Sequence, residues 1–238
     1  MRSIAMLFLL IPVFLFAQQT IDVGKQNVNP VASNLFYTVN GTPFSNYKYT
    51  KVVSGSPYYN DEWMKGIAIL NGNQKAQCDF VKLDLLSGEI IYKDSTGEEL
   101  IATTPVQQLS LIDPLSGKEI VFINATIVPV SNGKTINGWY QVLEKGSATL
   151  YKKIKKSISE AQRFNSATAE QTINTDDLYF VGTANDVSAV KKPKDIPTIL
   201  SDKKSQLDEY IGAKKLNNKN EESFTEVVSK YNALATGH

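Results

Sequence analysis

Between residues 47 and 190 the apolar and polar positions alternate in short runs broken by turn residues. Val81-Lys82-Leu83-Asp84-Leu85 alternates strictly, which predicts a strand with one apolar and one wet face. Leu86-Ser87-Gly88-Glu89 then turns the chain into Ile90-Ile91-Tyr92-Lys93, and Asp94-Ser95-Thr96-Gly97 turns it again before Glu99-Leu100-Ile101-Ala102. A further pair, Val106 to Asp113 and Glu119 to Asn124, is joined through Pro114-Leu115-Ser116-Gly117. Asn-Gly pairs at 40, 71, 132 and 137 supply the backbone freedom that tight hairpins need. Trp139 to Leu143 and Ala148 to Lys156 predict another hairpin about Glu144-Lys145-Gly146-Ser147, and Leu178-Tyr179-Phe180-Val181 reads as the last clear strand. Strands at this cadence predict an antiparallel meander, built as an open curled sheet or a sandwich. The recurrence of Leu-Ser-Gly at 86–88 and 115–117 reads as repeated hairpin chemistry.

Beyond Val190 the period changes. Lys191-Lys192-Pro193-Lys194 forms a basic joint, and two or three helices are expected after it, a small C-terminal helical appendix over 191–238. Ser201 is the expected N-cap of a short helix carrying Leu207, Tyr210 and Ile211 on one face and ending near Gly212. Asn218 with Glu221 resembles a cap for the next helix. There Phe224, Val227, Val228, Tyr231 and Leu234 form a stripe at helical spacing. Helices this short are marginal alone in water, so the stripe is expected to pack on the β body, with Phe224 and Tyr231 buried.

The chain begins differently. Arg2 precedes an uncharged apolar run from Ile4 to Phe16, closed by Ala17 and a polar continuation. This is the grammar of a secretory signal peptide over 1–17. The run falls short of the roughly 20 residues a membrane-spanning helix needs, so no transmembrane span is expected in the mature chain. From 18 to 46 the chain reads as an extended polar segment, followed by the antiparallel β domain over 47–190.

Composition narrows the chemistry more than it identifies it. Hydrophobic residues at 42% and charged residues at 21% are ordinary globular values. Loss of Arg2 with the signal leaves 24 basic residues against 24 acidic ones, and only Arg163 carries a guanidinium. Neutral charge and scarce arginine argue against a nucleic-acid partner. The single histidine, His238, stands at the C-terminus, so no Ser-His-Asp or Cys-His arrangement can form inside the fold. Cys78 reads as a small buried hydrophobe. Gly133-Lys134-Thr135 lacks the upstream glycine of a phosphate-binding loop, since position 128 is Val128. Ser45 to Lys48 and Ser201 to Lys204 match Ser-x-x-Lys without its companion motifs. No metal site and no cofactor are expected.

Two clusters remain as weak candidates for contact with other molecules. The first is Tyr58, Tyr59, Asp61, Glu62 and Trp63, where rings beside acids resemble a sugar-binding face. The favoured reading is structural: a loop or short helix whose rings plug the end of the sheet, with the acids at a helix N-terminus. The second is the basic surface Lys152, Lys153, Lys155 and Lys156, read first as a solvated edge strand guarded by lysines and second as contact with an anionic polymer or lipid head groups.

Several of these stretches resemble a group of uncharacterised exported β-rich proteins of Bacteroidetes-type bacteria. The resemblance rests on Phe16-Ala17-Gln18, Val52-Val53-Ser54-Gly55-Ser56-Pro57-Tyr58-Tyr59, Trp63-Met64-Lys65-Gly66, Ala102-Thr103-Thr104-Pro105-Val106 and Leu150-Tyr151-Lys152-Lys153. It extends to the lysine-rich tail with Tyr231-Asn232. It implies a periplasmic, cell-surface or secreted envelope protein with a β-rich body and supplies no catalytic residue. The expected function is non-catalytic binding of an envelope protein or polymer. The alternative is a carboxylate-dependent enzyme acting on glycans, which requires paired acids facing one cleft.

Overall fold

The computed structural model describes residues 20–22, 41–45, 49, 51–128, 137–162, 169–184 and 186–236. The expected signal peptide, most of the 18–46 segment, Arg163 and His238 lie outside the described residues.

Among the described residues thirteen strands form one sheet. They are β1 (Thr20–Asp22), β2 (Gly41–Pro43), β3 (Val52–Ser54), β4 (Met64–Leu70), β5 (Lys75–Leu83), β6 (Ile90–Lys93) and β7 (Glu99–Ala102). Then follow β8 (Val106–Ile112), β9 (Glu119–Asn124), β10 (Trp139–Glu144), β11 (Thr149–Gln162), β12 (Ala169–Gly182) and β13 (Val187–Val190). The chain is mainly β, as the alternation predicts, and the open-sheet form is the one adopted. The spatial order is β13-β12-β11-β10-β9-β8-β4-β5-β6-β7-β2, with β1 beside β5 and β3 beside β12. Two sequence expectations change here. The 18–46 segment contributes β1 and β2, and the strand at 178–181 is followed by β13, which pairs antiparallel with β12. The attachments of β1 and β3 are parallel, so the meander is not wholly antiparallel.

The two Leu-Ser-Gly turns share one mechanism. Asp84 Oδ1 accepts from the N–H groups of Leu86 and Ser87, and Asp113 Oδ1 accepts from those of Leu115 and Ser116. An aspartate that mimics the backbone two residues ahead is the standard Asx device. The donors of Ser116 and Leu115 hold the Asp113 carboxyl below its ordinary value. Asp84, however, is fully buried instead of lying on a wet face, and its Oδ2 accepts from the Tyr49 hydroxyl. Strict alternation therefore ends at Leu83.

The sheet curls over on itself. Trp139 opens β10 and Gly88 sits in the β5–β6 turn, four strands apart in the order. In a flat sheet that separation is roughly 19 Å. Yet Trp139 Nε1 donates to the Gly88 carbonyl at 2.9 Å. The curl gathers Met64, Leu83, Tyr92, Leu109, Leu111, Phe122 and Trp139 into one core. Cys78 belongs to it, buried as expected, with its thiol toward the carbonyls of Phe80 and Lys93.

The C-terminal helices cover the other half. They are α1 (Ile196–Ile199), α2 (Lys204–Lys214) and α3 (Glu221–Thr236). Leu207, Ile211, Phe224, Val227 and Val228 pack with Leu150, Tyr179, Val181 and Val190 of the sheet. Phe224 stacks on Tyr179 at 4.5 Å, and Tyr231 is half-buried at the margin, short of the full burial expected for it. The caps differ from expectation. Ser201 begins a one-turn 3-10 helix ahead of α2, whose N-cap, Lys203, makes no side-chain cap bond. The cap of α3 is Asn220, not Asn218, its Oδ1 accepting from the Ser223 N–H at 3.2 Å.

Candidate functional site

The segment carrying the aromatic candidates is a strap joining the two ends of the curl. Its start, β3, pairs with β12 near Gln171 and Thr172. A few residues later the Tyr59 N–H donates to the Leu83 carbonyl, and the Leu85 N–H donates to the Pro57 carbonyl. Gly55 makes the crossing possible. It has φ +78°, and a Cβ there would stand 2.1 Å from the Ile173 carbonyl oxygen, so no other residue fits without moving the backbone.

The strap separates its aromatic rings. Tyr59 turns inward, edge-on to Phe122 at 4.9 Å. Tyr58 and Trp63 form a second group with lysines. Lys82 Nζ lies 5.0 Å from the Tyr58 ring and 4.8 Å from the Trp63 ring, and Lys93 Nζ lies 4.6 Å from the latter. Burial, then Asp84, Glu99 and Asp61, push the Tyr58 hydroxyl up to about 12. Of the three rings only Tyr59 packs against the core, while Tyr58 and Trp63 stay half-buried beside lysine side chains. The acids do not stand at a helix N-terminus, since the segment is loop and bend. Asp61 accepts from the Ser56 hydroxyl, Glu62 donates its N–H to Asn60 Oδ1, and both carboxylates are exposed.

Only the start of the basic run is interior to the sheet. β11 pairs with β12 along its whole length but with β10 only as far as Lys152, so Lys153, Lys155 and Lys156 have a strand partner on one side alone, as on an edge. Their environments divide them. Lys152 is only 14% exposed at its side chain and pairs with Asp177 at 2.8 Å and with Glu221 of α3 at 3.1 Å. Burial lowers its affinity for a proton, but those two carboxylates outweigh it and the pKa rises. Lys153 donates to the main-chain and side-chain oxygens of Asn137, both at 2.9 Å, and Lys156 donates to Thr175 Oγ1 at 3.0 Å. Burial lowers both pKa values, helped at Lys153 by the neighbouring charge of Lys155 and opposed at Lys156 by Asp61 and Asp177. The strap acid Asp61 therefore lies within electrostatic reach of the basic run, and the fold brings the two candidate clusters to one seam.

Along that seam runs a groove of about 590 Å³. The β5–β6 turn forms one wall through Leu85, Leu86, Ser87 and Gly88, and Asn137 and Trp139 form the base of the opposite side. Lys153, Lys155, Lys156 and Leu178 complete it, and among the described residues no carboxylate lines it. A larger hollow of about 750 Å³ lies on the helices, where two of the lining acids are already engaged. There the Tyr210 hydroxyl donates to Glu226 at 2.8 Å, Glu226 faces Lys214 at 3.8 Å, and Glu221 is held by Lys152. Among the described residues no group of three or more His, Cys, Asp or Glu is placed to hold a metal ion. No helix among them is long and apolar enough to cross a membrane.

Sequence reasoning passed over the groove because its walls are distant in the chain. It also passed over Asn232, whose Oδ1 accepts from the Ala148 N–H at 2.8 Å while Nδ2 donates to the Ala148 carbonyl at 3.0 Å. The only signal was a polar residue inside an apolar helical stripe. Comparison with family models, curated proteins and solved structures finds no match for this chain.

Proposed function

We propose that this chain is an exported, non-catalytic cell-envelope protein that binds a protein partner or an envelope polymer. Export is read from Arg2, the apolar run to Phe16 and Ala17. The resemblance to exported proteins of Bacteroidetes-type bacteria accords with it. The observation that carries the binding function is the seam groove, where three lysines gather with no lining acid in a chain of nearly neutral charge. Such a concentration of one sign in a concave surface is a recognition feature. The exposed positions of Asp61 and Glu62 support binding over the alternative glycan enzyme, which needs two acids facing one cleft.

Fractionation of cells expressing the tagged protein, followed by N-terminal sequencing and co-purification from the envelope, tests this function. The expected result is a chain starting at or near Gln18 in the envelope or periplasmic fraction, with an envelope component retained. A cytoplasmic chain that keeps residues 1–17, or an exported chain that retains nothing, overturns it.

A further inference from the structure

We infer that the seam groove is an anion site that takes a glycan chain bearing carboxylate or phosphate groups. This deepens the binding function proposed above and rests on it. Of the four lysines in the basic run, Lys152 is consumed by Asp177 and Glu221. The hydrogen-bond acceptors of Lys153 and Lys156 are neutral oxygens of Asn137 and Thr175. Lys155 has no hydrogen-bond or ion-pair partner among the described residues. None of the three has a carboxylate within ion-pairing distance among the described residues, Asp61 and Asp177 acting on Lys156 only at longer range, so the groove they line is positive.

The arrangement selects the ligand class. Lys153 and Lys155 are two residues apart on one strand, roughly 7 Å, with Lys156 as a third charge nearby. A row of separate positive points matches several anionic groups carried on one chain. Ammonium groups are hydrated point charges that take carboxylate or phosphate oxygens singly, without the forked geometry of arginine. Single-stranded nucleic acid would need an exposed ring for stacking, but Trp139 is 6% exposed and its Nε1 is given to Gly88. A membrane surface would need an apolar belt beside the lysines. Of the exposed large apolar side chains only Leu178 borders the groove.

Calorimetric titration of the purified protein with oligogalacturonate, a poly(glycerol phosphate) oligomer, neutral dextran, oligo-dT and phosphatidylglycerol vesicles tests the inference. Binding of either anionic glycan is expected, the tighter of the two naming the anion, with neutral dextran inert. Replacing Lys153, Lys155 and Lys156 together by glutamine should weaken that binding about tenfold, the scale of three exposed ion contacts. The triple arginine variant should retain it. Removing Lys191, Lys192 and Lys194 instead should leave it nearly unchanged. Equal loss in the two glutamine sets, preference for oligo-dT or vesicles, or absence of binding to both glycans overturns the inference. Should the groove glutamine variant still retain its envelope component on co-purification, the anion site fails while the binding function stands.

Discussion

The β4–β9 half of the sheet and its β10–β13 half each carry an apolar face, yet they cover those faces in different ways. The first covers itself. Curling brings Tyr92, Leu109 and Phe122 into one core, and the strap adds Tyr59 edge-on to Phe122. The second is covered by chain from elsewhere, since Leu150, Tyr179 and Val181 meet Leu207, Phe224, Val227 and Val228 of the helices. The contrast explains where polar precision is spent. In the curled half it goes into local Asx turns such as those of Asp84 and Asp113. In the helix-covered half it goes into long-range ties, above all the clamp of Asn232 on Ala148 across 84 residues of sequence, with Lys152 to Glu221 beside it. A side-chain amide that satisfies a buried N–H and a buried carbonyl at once replaces a missing strand partner.

The difference can be broken at its heaviest point. Phe224→Ala should destabilise the protein by about 3–5 kcal/mol, because the ring is buried against Tyr179 and its loss leaves a cavity. Chemical denaturation should register it, and hydrogen exchange should place the loss in β10–β13 and the helices more than in β4–β9. Asn232→Ala should cost about 2–3 kcal/mol, since both polar groups of Ala148 would be left buried and unpaired. A larger residue at 232 would not restore it, because Gly146 lies so close that even a Cβ there would stand 2.4 Å from Asn232 Cγ.

Smaller perturbations sharpen the comparison. Trp63 belongs to the strap end of the curled half but is only half-buried between Lys82 and Lys93. Trp63→Ala should therefore cost about 1–2 kcal/mol, less than the emptying of a buried aromatic site. A thermal melt decides between these magnitudes. The smallest effect is expected from pH. Lys152 ties β11 to α3 through Glu221, and its pKa is raised above the ordinary 10.5. A raised pKa means that the stabilisation is complete below that ordinary value and fades as pH rises through the higher folded one. The melting-temperature difference between the protein and Lys152→Met should thus shrink only in strongly alkaline solution.

Hairpins, turns and the helical stripe were legible in the sequence because each depends on residues within one turn or one strand of each other. Phe224, Val227 and Val228 needed only their spacing, and the recurring Leu-Ser-Gly turns needed only an Asp acceptor two residues from its backbone donors. What escaped was non-local. The lysines of β11 read as one edge run because nothing in 152–156 reveals that β10 pairs as far as Lys152 and stops there. The parallel attachments of β1 and β3 bring together segments with no shared pattern. Tyr58 and Trp63 were legible as a cluster, but their separation from Tyr59 follows from the strap's crossing at Gly55. The groove arises only once the sheet has curled, so neither of its walls advertises it.

The helices are the fold's own cover for the β10–β13 face. Hydrogen exchange on the intact purified protein measures this without any substitution. Residues 221–235 should be protected together with β10, β11 and β13, as parts of one cooperative unit. If those residues exchange as fast as an unfolded peptide while the strands stay protected, the helices are not the cover, and the comparison between the two halves falls.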